Sequence, residues 1–563
     1  MNGLPAAPST RQDALRTPRA RAYDLRSFPP RDCTTRHVRR RQFLGVAAGA
    51  AVATLARPSI AQPAKVLKFV PESDVAVIDP IWTTATVTRN HGYLVFDTLY
   101  GQDTQYAFQP QMVAGHTVED DGKLWRLTLR EGLRFHDGEP VRAQDVVPSV
   151  RRFAARDAFG RALMEATDEL SAASDRVVQF RLKRPFPLLP AALGKTGTSM
   201  PCIMPERLAK TDPNTQVTEM VGSGPFRFKA DERIAGALTV YEKFAEYVPR
   251  PDGTASFTAG PKRVFLDRVE WRIMPDPSTA ANALGAGEVD WWQNPTPDLL
   301  GLLRGKVGLK FEVLDPAGGV GCLRFNHLHP PFDNPAIRRA LLGAIDQTEY
   351  MTAVAGDERA LWKDHVGVFS PDTPMATKAG TDILVGPRDF AAVKRDLAAA
   401  GYKGERVVLL DPTDYPSTHA LALVANDALQ KCGLNVDLVS TDWGTLVQRR
   451  ASRQPPDKGG WNIFFTYLNG TNNFDPASQL GIRGNGDQAW FGWPKSARLE
   501  ELRAQWFAAS DLKAQQTICA DIQRQFFVDV PYLPLGAYYE TTAYRRLTGV
   551  RSGFAQFYDV RPA

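Results

Sequence analysis

The sequence predicts an α/β fold divided into at least two lobes, on three observations. Its 563 residues exceed the length over which one hydrophobic core keeps growing. Its composition, 43% hydrophobic, 23% charged and 10% aromatic, is that of a packed globular chain rather than a disordered or fibrous one. Between residues 389 and 468, strand-like runs alternate with helices that end on glycine, the pattern of βαβ units on a largely parallel sheet.

The elements follow in order. Val66-Leu67-Lys68-Phe69-Val70 reads as a first strand, and Asp79-Pro80 interrupts the chain before a helical stretch reaching Leu99-Tyr100. In the run 124–130, Trp125, Leu127 and Leu129 fall on one face of a strand and Arg126, Thr128 and Arg130 on the other; Asp137-Gly138 then turns the chain. Asp276-Pro277-Ser278 and Asn334-Pro335 each put a capping side chain before a proline at the first helical position, and the second helix lines up Ile337, Leu341, Ala344 and Ile345. A helix from Asp389 to Ala400 closes on Gly401, a strand covers 407–410, and a helix from Ser417 to Cys432 closes on Gly433. Leu434, Val436 and Leu438 then alternate in a strand, and another covers 461–468. Long helices from Ser496 to about Phe527 and a return strand at Tyr532-Leu533-Pro534-Leu535 complete the pattern. No Ser/Gly-rich linker interrupts residues 62–563, so the lobes are joined by short crossings. Pro148 lies a few residues into the helix that opens near Arg142, where a capping Ser or Thr is more usual, and is expected to kink or shorten it.

The formal net charge of +6 is unevenly placed. Residues 1–61 carry eleven Arg, no Lys, three Asp and no Glu, which leaves 57 basic and 59 acidic residues in 62–563. That balance gives no general attraction for phosphate backbones, and no nucleic-acid partner is expected. The arginine excess ends at Arg39-Arg40-Arg41, followed by an Ala/Gly-rich apolar run from Phe43 to Ala56, shorter than the ~20 residues a bilayer span needs. With Ser59-Ile60-Ala61 as a small-x-small cleavage site, residues 1–61 read as an export signal, and Arg40-Arg41-Gln42-Phe43-Leu44 is similar to the twin-arginine motif. A translation start near residue 38 would leave a more ordinary leader. No later run is apolar enough to insert into a membrane. A periplasmic location is expected, and Cys202, Cys322, Cys432 and Cys519 read as isolated buried thiols rather than a disulfide framework.

Signatures of chemistry are sparse. Gly194-Lys195-Thr196 resembles the end of a phosphate loop, but Leu189 stands where the leading glycine belongs. No serine has nucleophile-elbow spacing, HExxH does not occur, and His327 with His329 lacks a third ligand nearby. The sequence therefore points to binding without catalysis, and no cofactor or metal is expected.

Several segments, in order, resemble the periplasmic solute-binding proteins of ABC importers, in the large branch of dipeptide-, oligopeptide- and nickel-binding proteins (extracellular solute-binding protein family 5). They are Trp125-Arg126-Leu127-Thr128-Leu129-Arg130 with Phe135-His136-Asp137-Gly138-Glu139-Pro140, Gly222-Ser223-Gly224-Pro225-Phe226, Pro275-Asp276-Pro277-Ser278-Thr279, Gly287-Glu288-Val289-Asp290, and Phe325-Asn326 with Pro330-Pro331-Phe332. The resemblance spans about 66–540. It implies a two-lobed type II periplasmic-binding-protein-like fold with an extra subdomain in the first lobe. Residues 62–110, 216–320 and 534–563 would form lobe I, 111–215 the extra subdomain and 321–533 lobe II. It also implies a monomer that captures a small-molecule or peptide ligand and passes it to the permease and ATPase subunits of an importer.

The dipeptide binders of that family hold the ligand's amino group with an aspartate and its carboxylate with an arginine. In the matching loop of this sequence the aspartate's place, four before Pro476, is held by Asn472, and the segment matching the arginine, Leu410 to Pro416, has no basic residue. A free dipeptide would thus leave charges unpaired, and a neutral or cationic solute, or a longer or modified peptide, is expected. The candidate ligand-binding residues are Trp443, Asn472, Asn469, Thr471, Asp475, Tyr467, Trp82 and Trp291, with Trp443 stacking on the ligand. Asp414, Asp442 and Asp475 are possible negative charges, each also readable as a helix cap. Leu323, Asn326 and Pro534 are the candidate hinge positions. Two other classes use the same fold: a ligand-sensing module docking on a chemoreceptor or signalling partner, and a secreted hydrolase, which would need a nucleophile or metal the sequence does not display.

Overall fold

The computed structural model describes residues 64–509 and 511–563; the export signal read in residues 1–61 lies outside them. Among the described residues, no helix is long and apolar enough to cross a membrane.

Three sheets organise the chain. In a seven-stranded sheet the central strand Val66–Val70 runs parallel to Arg268–Arg272 on one side and Trp291–Trp292 on the other; Thr541–Arg545, Leu309–Val313, Leu238–Lys243 and Phe226–Phe228 extend it in antiparallel fashion. A six-stranded sheet contains the predicted βαβ units: Arg406–Pro412 is parallel to both Asn435–Thr441 and Ile463–Asn469. Its other half is antiparallel, with Gly319–Phe325 between Ile463–Asn469 and Tyr532–Tyr538, so both large sheets are mixed rather than largely parallel. The sequence shows the glycine-capped repeat but not the long-range strands that come back from elsewhere in the chain. A four-stranded antiparallel sheet, Val113–Glu119, Leu124–Leu129, Val177–Leu182 and Thr167–Ser174, builds the subdomain.

Local chemistry accounts for the element boundaries. The alternation at 124–129 places Trp125, Leu127 and Leu129 in the core, where Phe135 also lies. Asp276 caps Pro277–Ala286 by accepting from Thr279 N at 2.7 Å, and Gly287 closes that helix with φ of 82°, a left-handed conformation that suits glycine. Pro148 does not shorten its helix, which runs unbroken over Ala143–Arg156. Asp145 supplies the cap that Arg142 cannot, accepting from Arg142 N and Glu206 N, each at 2.8 Å. The two large lobes are joined by two crossings: residues 314–318 lead from the seven-stranded to the six-stranded sheet, and Tyr539-Glu540 lead back.

The hinge candidates lie off these crossings. Leu323 is a fully buried member of the Gly319–Phe325 strand, and Pro534 sits within Tyr532–Tyr538, opposite Cys322. Asn326 is tied to Trp461 O, Leu328 N and Asn462 O. Backbones held in a ladder on both sides have little freedom to absorb a dihedral change. Cys202, Cys322, Cys432 and Cys519 are free, buried thiols.

Candidate functional site

Strands that run parallel release their C-terminal ends on one edge, and ligand crevices of α/β folds open there. Both large sheets do this toward the same space. From the seven-stranded sheet, Glu72 follows Val66–Val70, and Gln293 and Asn294 follow Trp291–Trp292; from the six-stranded sheet, Tyr415 follows Arg406–Pro412 and Asn469 ends Ile463–Asn469. Together with the two crossings they enclose a cleft holding about 720 Å³ of empty space, its mouth included.

Three carboxyl groups dominate its chemistry. Glu72 follows the first strand, Asp315 lies on the outgoing crossing and Glu540 on the returning one. Gln293 braces Glu72, donating from Nε2 at 3.4 Å and accepting from Glu72 N at 3.2 Å, and Thr86 Oγ1 also donates to Glu72. Ala317 N donates to Asp315 Oδ1 at 3.0 Å, and Asn294 Nδ2 to Glu540 Oε2 at 3.0 Å. Burial raises the Glu72 carboxyl above its usual range and pushes Asp315 up to about 7. The Glu540 side chain touches solvent within the cleft, yet the surrounding protein, followed by the charges of Glu72 and Asp315, pushes it up to about 8.

Among the described residues, Arg89 is the one arginine or lysine lining the cleft. Its Nη1 donates to Thr471 Oγ1 at 3.0 Å, its Nε and Nη2 to Asn90 Oδ1 at 3.2 and 3.0 Å, and its guanidinium lies 4.1 Å from the centre of the Phe554 ring. One cation against three acids leaves a surplus of acidic groups.

Of the sequence-predicted site residues, Tyr467 and Asn469 line this cleft, and Thr471 borders it through Arg89. Asn472 does not line the cleft and is turned to Thr198: its Oδ1 accepts from Thr198 N at 3.0 Å and its Nδ2 donates to Thr198 Oγ1 at 3.2 Å. Trp443 stands one ring back, edge-on to Tyr415 with centroids 5.3 Å apart. Asp475 is buried and caps a turn by accepting from Ser478 N at 2.8 Å; burial pushes its carboxyl up to about 6. Trp291 is fully enclosed, its indole donating to Thr542 Oγ1 at 2.7 Å, because its strand is interior to the seven-stranded sheet. Trp82 lies beside Arg156 and donates to Asn214 O at 3.2 Å, away from the cleft lining. Asp442 caps the Trp443–Arg449 helix, and Asp414 accepts from Trp443 N at 2.7 Å. His327 and His329 each bond a main-chain carbonyl, of Pro531 and Arg453, and Lys195 is paired with Asp157 at 2.5 Å. Sequence reading missed Glu72, Arg89, Asp315 and Glu540: they are scattered along the chain, and no local motif marks them.

The model of the bacterial extracellular solute-binding proteins, family 5 (middle), matches residues 107–490. The chain belongs to this family. It is therefore an exported solute-binding component, as the ordered motifs imply. A probable peptide ABC transporter periplasmic-binding protein, y4tO, of Sinorhizobium fredii (strain NBRC 101917 / NGR234) is 36% identical over 90% of this chain and 95% of its own. The oligopeptide-binding protein AppA of Bacillus subtilis (strain 168) is 23% identical over 73% of this chain and 75% of its own. Among solved structures, a dipeptide-binding protein from Pseudoalteromonas sp. SM9913 in complex with Met-Leu superposes with a TM-score of 0.74 at 19% identity, over 89% of this chain and 100% of its own. The agropinic-acid complex of AgaA from A. tumefaciens R10 matches with a TM-score of 0.74 at 20% identity, over 88% and 99%. The fold is the two-lobed type II arrangement of these neighbours.

Proposed function

We propose that this solute-binding protein captures an amine-bearing, peptide-like solute between its two lobes and delivers it, chemically unchanged, to the permease of an ABC importer. The carboxyl-rich cleft carries this reading: Glu72, Asp315 and Glu540 stand against Arg89, and an ammonium group supplies the counter-charge these acids lack, burial holding all three above their usual range. The peptide-transport name of the Sinorhizobium relative supports the same class of solute.

The hinge is assigned to residues 314–318 and 539–540, outside the sheet ladders, and the lobes to the two large sheets, with the four-stranded sheet as subdomain of the first. A solute touching both lobes favours the closed form by its differential affinity for it. The protein acts as a monomer. Export by the twin-arginine route is supported by Arg40-Arg41-Gln42-Phe43-Leu44.

A thermal-shift screen against short peptides, polyamines, sugars and metal chelates tests the reading, since a ligand that binds only the folded state raises Tm by mass action. Amine-bearing peptides should raise it; a response confined to sugars or to anions lacking an amine overturns the assignment, and turnover of any ligand overturns the non-catalytic part.

A further inference from the structure

Among the described residues eight arginines are buried, and seven of them meet hydrogen-bond acceptors. Arg324 donates to four main-chain carbonyls, Arg338 to three, Arg152 to Asp79, and Arg551 to Asp559. Arg450 is the exception. It keeps only 9% of its surface exposed, its Nε is buried without an acceptor, and no carboxylate pairs with it among the described residues. Its guanidinium lies in a cage of rings, 4.8 Å from the centre of Phe491 and 5.8 Å from those of Trp443, Phe464 and Trp490. Burial alone lowers its pKa to about 10.

Aromatic faces return part of what a guanidinium loses on leaving water, but they accept none of its in-plane N–H bonds. Every other buried arginine among the described residues donates to at least one oxygen acceptor. Phe464 is fully buried, whereas Trp443, Trp490 and Phe491 are half-buried, so three of the four rings of the cage reach solvent. Trp443 leans on Tyr415, which lines the cleft, and so the cage adjoins the cleft behind one indole. A free anion would be repelled by the acids of the cleft; an anionic group carried on a molecule with a cationic end would not.

We propose that Arg450, in its cage of Trp443, Trp490 and Phe491, is a seat for the carboxylate end of the solute, whose ammonium end lies among Glu72, Asp315 and Glu540. The planar fork of a guanidinium matches a carboxylate in paired hydrogen bonds, and the flanking rings cover an apolar stem. The solute class is then an extended zwitterion: a peptide longer than a dipeptide, or an amino-acid conjugate with a free carboxylate. This rests on the peptide-capture reading above and adds the residue that receives the acid end.

The test is calorimetric titration of the whole protein, and of Arg450→Gln and Arg450→Lys, with pools of tri- to pentapeptides in free-acid form and in C-terminally amidated form. The unsubstituted protein should bind the acid pool at least tenfold more tightly than the amide pool. Arg450→Gln should bring the two within about twofold, and Arg450→Lys should keep part of the gap. Should circular dichroism show Arg450→Gln unfolded, the acid-to-amide ratio of the unsubstituted protein and of Arg450→Lys decides. Equal affinities for acid and amide, or a gap that survives Arg450→Gln, overturn the carboxylate seat and leave peptide capture standing. Failure of both pools to bind overturns the two together.

Discussion

Asn472 and Thr198, 274 residues apart in sequence, grip each other through a pair of hydrogen bonds, one to the Thr198 main chain at 3.0 Å and one to its hydroxyl at 3.2 Å. The approach is close enough that a Cβ on the neighbouring Gly197 would stand 1.9 Å from Asn472 Oδ1. Asn472, a candidate ligand-binding residue by sequence, is thus engaged with the protein's own chain.

Removing this grip should loosen the closed form. Each hydrogen bond contributes about 1 kcal/mol, so Asn472→Ala is expected to shift the balance toward the open form and raise the radius of gyration of the unliganded protein in solution scattering. Gly197→Ala should act in the same direction by steric conflict. An unchanged scattering profile in both variants would show that the pair does not hold the lobes.

The acids of the cleft set a pH dependence with a definite sign. Asp315 titrates near 7 and Glu540 near 8 in the folded protein, against about 4 for unfolded carboxyl groups. Between those values the folded chain binds protons that the unfolded chain has released, so their effect destabilises the fold as pH rises from about 4 to 8 and is complete above that window. Glu540→Gln removes part of it. Its Tm relative to the unsubstituted protein should therefore be more favourable at pH 9 than at pH 5. A Tm difference that is flat with pH would contradict the assignment.

Asp79 and Arg152 form an ion pair at 2.6 Å with side chains almost wholly enclosed, and Asp79 also accepts from Ile81 N and Val217 N. Asp79→Asn leaves a guanidinium buried without its counter-charge and should cost about 3–5 kcal/mol in urea unfolding. A loss below about 1 kcal/mol would mean that water reaches the site.

The thiols offer a simple check on packing. Burial raises all four, Cys322 and Cys432 to about 12, and none is paired in a disulfide. A chromogenic disulfide reagent should leave Cys202, Cys322, Cys432 and Cys519 untouched in the native protein and modify all four once urea unfolds it. Rapid reaction of any one under native conditions would show an opening the fold does not provide.

The fold was legible where local chemistry decides it. Asp276 and Asn334 before prolines, Gly287, Gly401 and Gly433 after helices, and the alternation at 124–129 each announce an element that the structure contains. What the sequence hides is pairing at a distance: nothing near Gly319–Phe325 says that it lies between strands more than a hundred residues downstream. The site follows the same division. Tyr467 and Asn469 are legible because they lie at the end of one recognisable strand, whereas Glu72, Asp315 and Glu540 meet only after both crossings are made. Trp291 was misleading for a physical reason, since a large indole serves an interior sheet as readily as a ligand.

Among the described residues two spans join the large sheets, and placing Asp315 and Glu540 on them puts an acidic group on each arm of the proposed pivot. On the proposed hinge, a cation that settles between them would steady the axle on which the jaws swing, and recognition of the cargo and the motion that encloses it would share one contact.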